Sequence, residues 1–272
     1  IVTSHPRAAA RRAVAAPIPR LAPVTIITGR SIDISWPMTA SAFTGYTPDT
    51  FVFLDELGAN NNTAWFHSQK QRYQTVAAQP FAAFVGSLID VLPDKLDPRI
   101  HGEAKIGGSL FRINRDIRFS ADKSPYKDHL DAIFWLAGPQ AATAGERRNS
   151  PSLFVRLTSE EVLLGAGVFG LKGDELKRYR AAVAGPEGAT IRRIADKALA
   201  TGATLNEPVR QKPPKPYPVD HPNADLLQRD GFYVVATHDQ PAEVASGKFV
   251  AWVVKQWKPL LPVATWLADQ IG

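Results

Sequence analysis

The hydrophobic period of this chain changes twice, and the order of those changes restricts its fold more than any single motif. From Thr47 to Pro93 apolar residues recur every three or four positions. From Ile106 to Phe169 they alternate or run on, and from Lys172 the helical period returns. Helices, then strands joined by short turns, then helices predict an α+β fold: a mostly antiparallel sheet flanked by N-terminal and C-terminal helices. A doubly wound fold would alternate the two kinds of element instead. The 272 residues suit one large domain, and no stretch repeats.

Local signals place the elements. Thr47-Pro48-Asp49 opens a helix with a cap, a proline in the first turn and an acid at the positive end; Phe51, Leu54 and Leu57 line it and Gly58 closes it. Asn62 or Thr63 caps a second helix carrying Trp65, Phe66, Tyr73 and Val76. Pro80 starts a third, with Phe81, Phe84, Leu88 and Ile89, and Pro93 stops it. Beyond the Gly107-Gly108 joint, Phe111, Ile113, Ile117 and Phe119 alternate with polar residues as in a half-buried strand, interrupted at Arg115. Ala132–Leu136 reads as a strand buried on both faces. Leu153–Leu157 and Glu161–Phe169 read as a hairpin across Thr158-Ser159-Glu160. Helices are expected near 172–183, 187–200 and 242–257, a strand at Phe232–Thr237, and an extended proline-rich loop at 203–223.

Residues 1–37 stand apart. They are rich in Ala, Arg and Pro, show no clear period, and lack the apolar centre of a secretory signal. Met38, the one methionine, opens onto the first patterned segment, so residues 1–37 read as a disordered or mis-assigned extension and 38–272 as the α+β domain. The extension also holds +4 of the chain's formal charge of +6, which leaves +2 for residues 38–272. A body so near neutral makes nucleic acid an improbable partner. The chain contains no cysteine, which excludes disulfides, thiolate nucleophiles and zinc–cysteine sites and suits a reducing compartment. No apolar run in the sequence approaches the roughly 20 residues of a membrane span. The expected location is therefore the cytoplasm.

The chemistry concentrates in Leu110–His129. Arg112, Arg115, Arg118, Lys123 and Lys127 sit there among Asp116, Asp122 and Asp128, interleaved with Phe111, Phe119 and Tyr126. In an extended chain Arg115 would point to the apolar side, where a bare charge is costly and must find a carboxylate or an anion. Ser124-Pro125 turns the chain and could return Lys123, Tyr126 and Lys127 over the arginines. Five cations against three acids leave positive charge to spare, and guanidinium forks bind carboxylate or phosphate. The competing reading is an internal ion-pair network that meets no ligand.

The same segment, Arg-Ile-Asn-Arg-Asp-Ile-Arg-Phe-Ser-Ala-Asp-Lys-Ser-Pro-Tyr-Lys from Arg112 to Lys127, resembles the signature of an uncharacterised family, domain of unknown function 2461. Phe43-Thr-Gly-Tyr46, Phe53-Leu54, Asn60-Asn61 and Trp65-Phe66 are similar to its N-terminal motif. Gly165–Phe169 with Leu176–Arg180, and His221-Pro222 through Leu227, are similar to its later motifs. The resemblance spans about residues 43–237, leaves out residues 1–37, and implies an intracellular α+β protein. It implies no activity.

Two functions stay open at this level. One is an enzyme acting on a small phosphorylated or carboxylated substrate. Arg112, Arg115, Arg118, Lys123 and Lys127 would clamp the anion, with Asn61 and Trp65 lining the pocket, Asp116 or Asp122 as general base and Tyr126 as acid. The other is a non-catalytic module that binds a small anionic ligand through the same face. The residues name no cofactor. No metal is expected, since the histidines lack zincin spacing; His129 with Asp128 and Asp131 would need His221 folded over them. There is no P-loop and no Gly-x-Ser-x-Gly elbow. Gly165-Ala-Gly167 signals a bulge, or a close approach by a ligand or another backbone.

Overall fold

The structure is a computed structural model that describes residues 42–118, 120–136 and 150–271; the N-terminal extension read from the sequence lies outside the described residues. The described chain opens with Phe43–Tyr46, then α1 (Pro48–Ala59), α2 (Thr63–Ser68), α3 (Lys70–Tyr73), a π-helical turn (Gln74–Ala78) and α4 (Gln79–Lys95). Asn62 is the cap of α2, its side chain accepting from Trp65 N at 3.0 Å. Pro93 does not stop α4. It lies in the last turn, and the helix continues to Lys95.

Lys70–Lys95 thereby forms a helical run of 26 residues, long and apolar enough to cross a membrane by length and composition. The sequence reading broke this run at its prolines. Its apolar residues Phe81, Phe84, Val85, Leu88 and Leu92 are buried in the core.

A six-stranded antiparallel sheet follows: β1 (Ile100–His101), β2 (Leu130–Leu136), β3 (Ser152–Leu157), β4 (Glu161–Val168), β5 (Thr204–Leu205) and β6 (Phe232–Asp239), in the order β1-β2-β3-β4-β6-β5. Between β4 and β5 run α5 (Gly173–Ala184) and α6 (Gly188–Leu199). A short α7 (Ala224–Leu227) precedes β6, and α8 (Lys248–Trp257) and α9 (Leu261–Ile271) close the chain. The expected α+β architecture is therefore present.

Strand register explains which face is core. Phe134, Leu153, Ala166 and Val234 stand across from one another, and with Leu164, Val155 and Phe232 they join the helices in one buried cluster. Phe134 meets Trp257 of α8 edge-on at 5.6 Å, and Phe84 of α4 stacks on Phe249 of α8 at 5.0 Å. Asp131, Ile133, Phe154 and Arg156 alternate onto the opposite face.

Two glycines permit close backbone approach. Gly45 has φ +119°, and a Cβ there would stand 2.3 Å from the Ala245 carbonyl carbon, so the entry loop lies flat on the turn before α8. Tyr46 N donates to Val244 O at 2.9 Å across that contact. The turn is a 3₁₀ segment, Ala242–Ala245, so the single helix expected at 242–257 is divided. Gly167 has φ +136°, and a Cβ there would be 2.2 Å from the Phe232 carbonyl oxygen of β6. The partner that the glycine pair makes room for is another strand.

Candidate functional site

The segment between β1 and β2 begins by sealing a sheet edge. Ile133 N donates to Ser109 O at 3.0 Å and Phe111 N to Asp131 O at 3.1 Å, which covers the part of β2 that the short β1 leaves open. The chain then leaves the sheet as an arm that doubles back. Arg115 N donates to Pro125 O at 2.9 Å, Lys127 N to Ile113 O at 2.8 Å, and Asn114 bridges Tyr126. Of the strand expected over 111–119, the described residues 111–118 are thus reduced to these bridges, and Phe119 lies outside the described residues. Local side chains take the backbone groups a ladder would use: Asp122 Oδ1 accepts from Ser124 N at 2.8 Å and Asp116 Oδ1 from Arg118 N at 3.3 Å.

The arm is clasped at its root. Asn61, in the turn between α1 and α2, accepts from Tyr126 N at 3.0 Å and donates to Tyr126 O at 2.9 Å. The buried Tyr126 ring stacks on Phe66 at 4.0 Å. α1 ends close by, since a Cβ on Gly58 would stand 3.6 Å from the Asp128 Cβ. Asn61 therefore joins the segment as a backbone clamp. Trp65 packs on Phe53 of α1, ring centroids 5.9 Å apart.

Charges divide between tip and root. At the exposed tip Arg118 pairs with Asp116 at 2.6 Å and Arg115 with Asp122 at 2.5 Å. Lys123 Nζ donates to Ile117 O at 2.9 Å, and Arg112 is exposed with no ion pair among the described residues. At the root, Asp131 is 5% exposed and receives Arg156 Nε at 2.8 Å and Lys127 Nζ at 3.1 Å. His129 spans two acids, with Nδ1 2.8 Å from Asp128 and Nε2 3.3 Å from Asp131, the latter without hydrogen-bond alignment. Lys127 also lies over the Phe111 ring at 4.9 Å and Arg156 over Phe154 at 5.6 Å.

These contacts set proton affinities. Burial alone would raise Asp131, but His129, Arg156 and Lys127 outweigh it and hold the carboxyl well below the usual range. Hydrogen bonds from Arg118 bring Asp116 down to about 2. The Ser124 hydroxyl and N–H, then Arg115, lower Asp122, and His129 lowers Asp128.

Sequence reasoning named the arm's cations and Asn61 but missed Arg156. Its signal was a charge between Val155 and Leu157 in an otherwise apolar strand. Of the histidines, His129 comes to the root. His221 lies elsewhere, Nδ1 accepting from Asn223 N at 3.0 Å. No group of three or more His, Asp or Glu able to hold a metal occurs among the described residues. A cleft of about 240 Å³ beside the entry loop, lined by Phe43, Thr44, Gly45, Thr75, Gln79 and Pro80 among others, includes none of the arm.

A family model described as a conserved hypothetical protein (DUF2461) matches residues 49–266 of this chain. No curated protein matches it.

Proposed function

The chain belongs to the DUF2461 family of conserved hypothetical proteins, and on that premise we propose that it is a non-catalytic binding module for a small phosphorylated or carboxylated anion. One observation carries the reading: among the described residues Arg112 and Lys123 are the arm's cations that form no ion pair, on an exposed tip whose root is clamped. Their neighbours Arg115 and Arg118 are already oriented by Asp122 and Asp116. A bound anion completes the neutralisation that the local acids leave undone.

Binding is favoured over catalysis by the state of the acids. A general base works best with a pKa near the operating pH, whereas Asp116 is held near 2 and Asp122 is also lowered. Tyr126, the expected acid, is buried in its stack on Phe66. The cysteine-free composition supports the cytoplasm as the compartment.

The test is a thermal-shift screen of phosphorylated metabolites, nucleotides and dicarboxylates on the intact chain and on the Arg112→Ala/Lys123→Ala double variant. A ligand at 100 times its Kd stabilises by about 2.7 kcal/mol, and the double variant is expected to lose that gain while keeping its ligand-free melting temperature. A gain unchanged in the double variant removes the tip as the site. Turnover of the ligand during the assay restores the enzyme reading.

A further inference from the structure

The last strand, β6, leads from the core into the corner that seats the entry loop. Phe232, Val234, Ala236 and His238 alternate onto its core face, and the buried Val162 of β4 stands across from His238. The His238 ring meets Trp252 of α8 edge-on, with centroids 5.3 Å apart and planes at 83°. Trp252 stacks on Phe249 at 5.8 Å, and Phe249 lies 6.4 Å from Phe43. Phe43 lines the cleft of about 240 Å³, so a series of rings runs from the imidazole to the cleft wall. The backbone follows the same path. In the 3₁₀ turn just beyond β6, Val244 O accepts from Tyr46 N, and Gly45 lies flat on Ala245. A Cβ on Gly247, at the start of α8, would stand 3.1 Å from Phe43 O.

Within this series His238 is the ring that can take up a proton at neutral to mildly acid pH. Its Nε2 is buried and has no hydrogen-bond partner among the described residues. In an imidazolium both nitrogens carry protons and share the charge, so Nε2 would become a charged donor with no acceptor. The surrounding charges do not compensate. Glu161 and Asp239 face each other at the exposed ends of β4 and β6, with Glu160 beside them. Glu243 lies in the 3₁₀ turn, and Lys248 and Lys255 are exposed one turn either side of Trp252. None of these acts on His238; burial does, and it holds the imidazole below the ordinary histidine value. The neutral ring is thus the form that fits the closed corner. Its stabilisation is complete above about pH 6.5 and drains away as pH falls toward the lower folded value.

We propose that His238 is an acid-sensitive latch: its neutral ring keeps α8 and the turn before it closed against β6, and protonation loosens that corner. The loosening releases the entry loop, and with it the Phe43 wall of the cleft. The device is independent of the arm and of the anion proposed for it.

The experiment is hydrogen–deuterium exchange of the intact chain at about pH 7.5 and about pH 5.5, either side of the histidine range. Rates are corrected for the intrinsic pH dependence of amide exchange. Three proteins are compared: the wild type, His238→Phe, which keeps a ring against Trp252 but cannot ionise, and His238→Gln, which keeps a neutral polar group. Circular dichroism checks that each is folded. At the lower pH the wild type is expected to lose protection over residues 43–46 and 242–257 while β2 and β3 keep theirs. Both variants should show the same protection at the two pH values. A folded variant that responds to acid as the wild type does overturns the proposal. So does a wild type whose corner keeps its protection, or one that loses it evenly across β2 and β3. If His238→Phe does not fold, His238→Gln decides; if neither folds, the place of the wild-type loss decides.

Discussion

Asp131 has almost no exposed surface, yet it carries the charge of the arm's root. Replacing it with asparagine keeps its shape and strands Lys127 and Arg156, so Asp131→Asn is expected to lose about 3–5 kcal/mol in urea unfolding. Its pH signature has a definite sign. The folded carboxyl is depressed, so its stabilisation is complete above the unfolded value of about 4 and drains away as pH falls toward the lower folded one. Wild-type stability should therefore fall steeply below about pH 5, with a gentler fall in Asp131→Asn; equal slopes would refute the assignment. Arg115 should behave differently. It pairs with an exposed acid that Ser124 also holds, so Arg115→Met is expected to move the melting temperature by about 2 °C or less. The cations of the arm could be read from the sequence because they are contiguous. Their pairing could not. Alternation put Arg115 on the apolar side, but that rule presumes a strand, and Asp116 and Asp122 had taken the backbone donors such a strand requires. The Asp131–Arg156 pair depends on the register of β2 against β3, set by contacts 25 positions apart along the chain.

Elements whose signals are local were legible, and those shaped by distant backbone were not. The cap of α2 by Asn62 and the Thr158–Glu161 turn follow from neighbouring residues. The division between the 3₁₀ turn and α8 instead answers Gly45, some 200 residues earlier. The proline-rich loop was expected to be extended, but it turns, with Tyr217 N bonding Pro214 O and His221 N bonding Pro218 O. Gly165-Ala-Gly167 lies between these cases: its composition announced a close approach, and only the sheet shows that β6 makes it. Gly167→Ala tests this at the scale of the strand pair. A methyl group aimed at the Phe232 carbonyl, on a backbone that alanine avoids, should cost about 3 kcal/mol or more. Loss of amide-exchange protection should concentrate in β4 and β6. Uniform loss across β2 and β3 would mean that the strain is shared by the whole sheet.

At the scale of the molecule, the helices before the sheet and those after it meet in one core, although most of the chain separates them. Phe84 of α4 is at that junction, fully buried and in ring contact with Phe43, Tyr46, Phe81 and Phe249. Because α8 carries Phe249 toward Phe84 and Trp257 onto Phe134 of β2, removing the Phe84 ring loosens the sheet through the helices. Phe84→Ala is expected to lose about 3–5 kcal/mol in guanidinium unfolding, the usual cost of deleting a buried aromatic ring. The location of the loss is as informative as its size. With one core, far-UV circular dichroism and tryptophan fluorescence should report the same lowered midpoint, because Trp257 and Trp266 are buried in the cluster that holds Phe84. If the N-terminal helices were instead a separate unit packed on a self-sufficient sheet, the two probes would separate, with fluorescence keeping the wild-type midpoint. The same measurement bears on the arm, whose root is clamped by Asn61 from the helical layer and sealed onto β2 from the sheet. The anion binding proposed for the tip should then weaken in Phe84→Ala only over the denaturant range in which the whole core gives way.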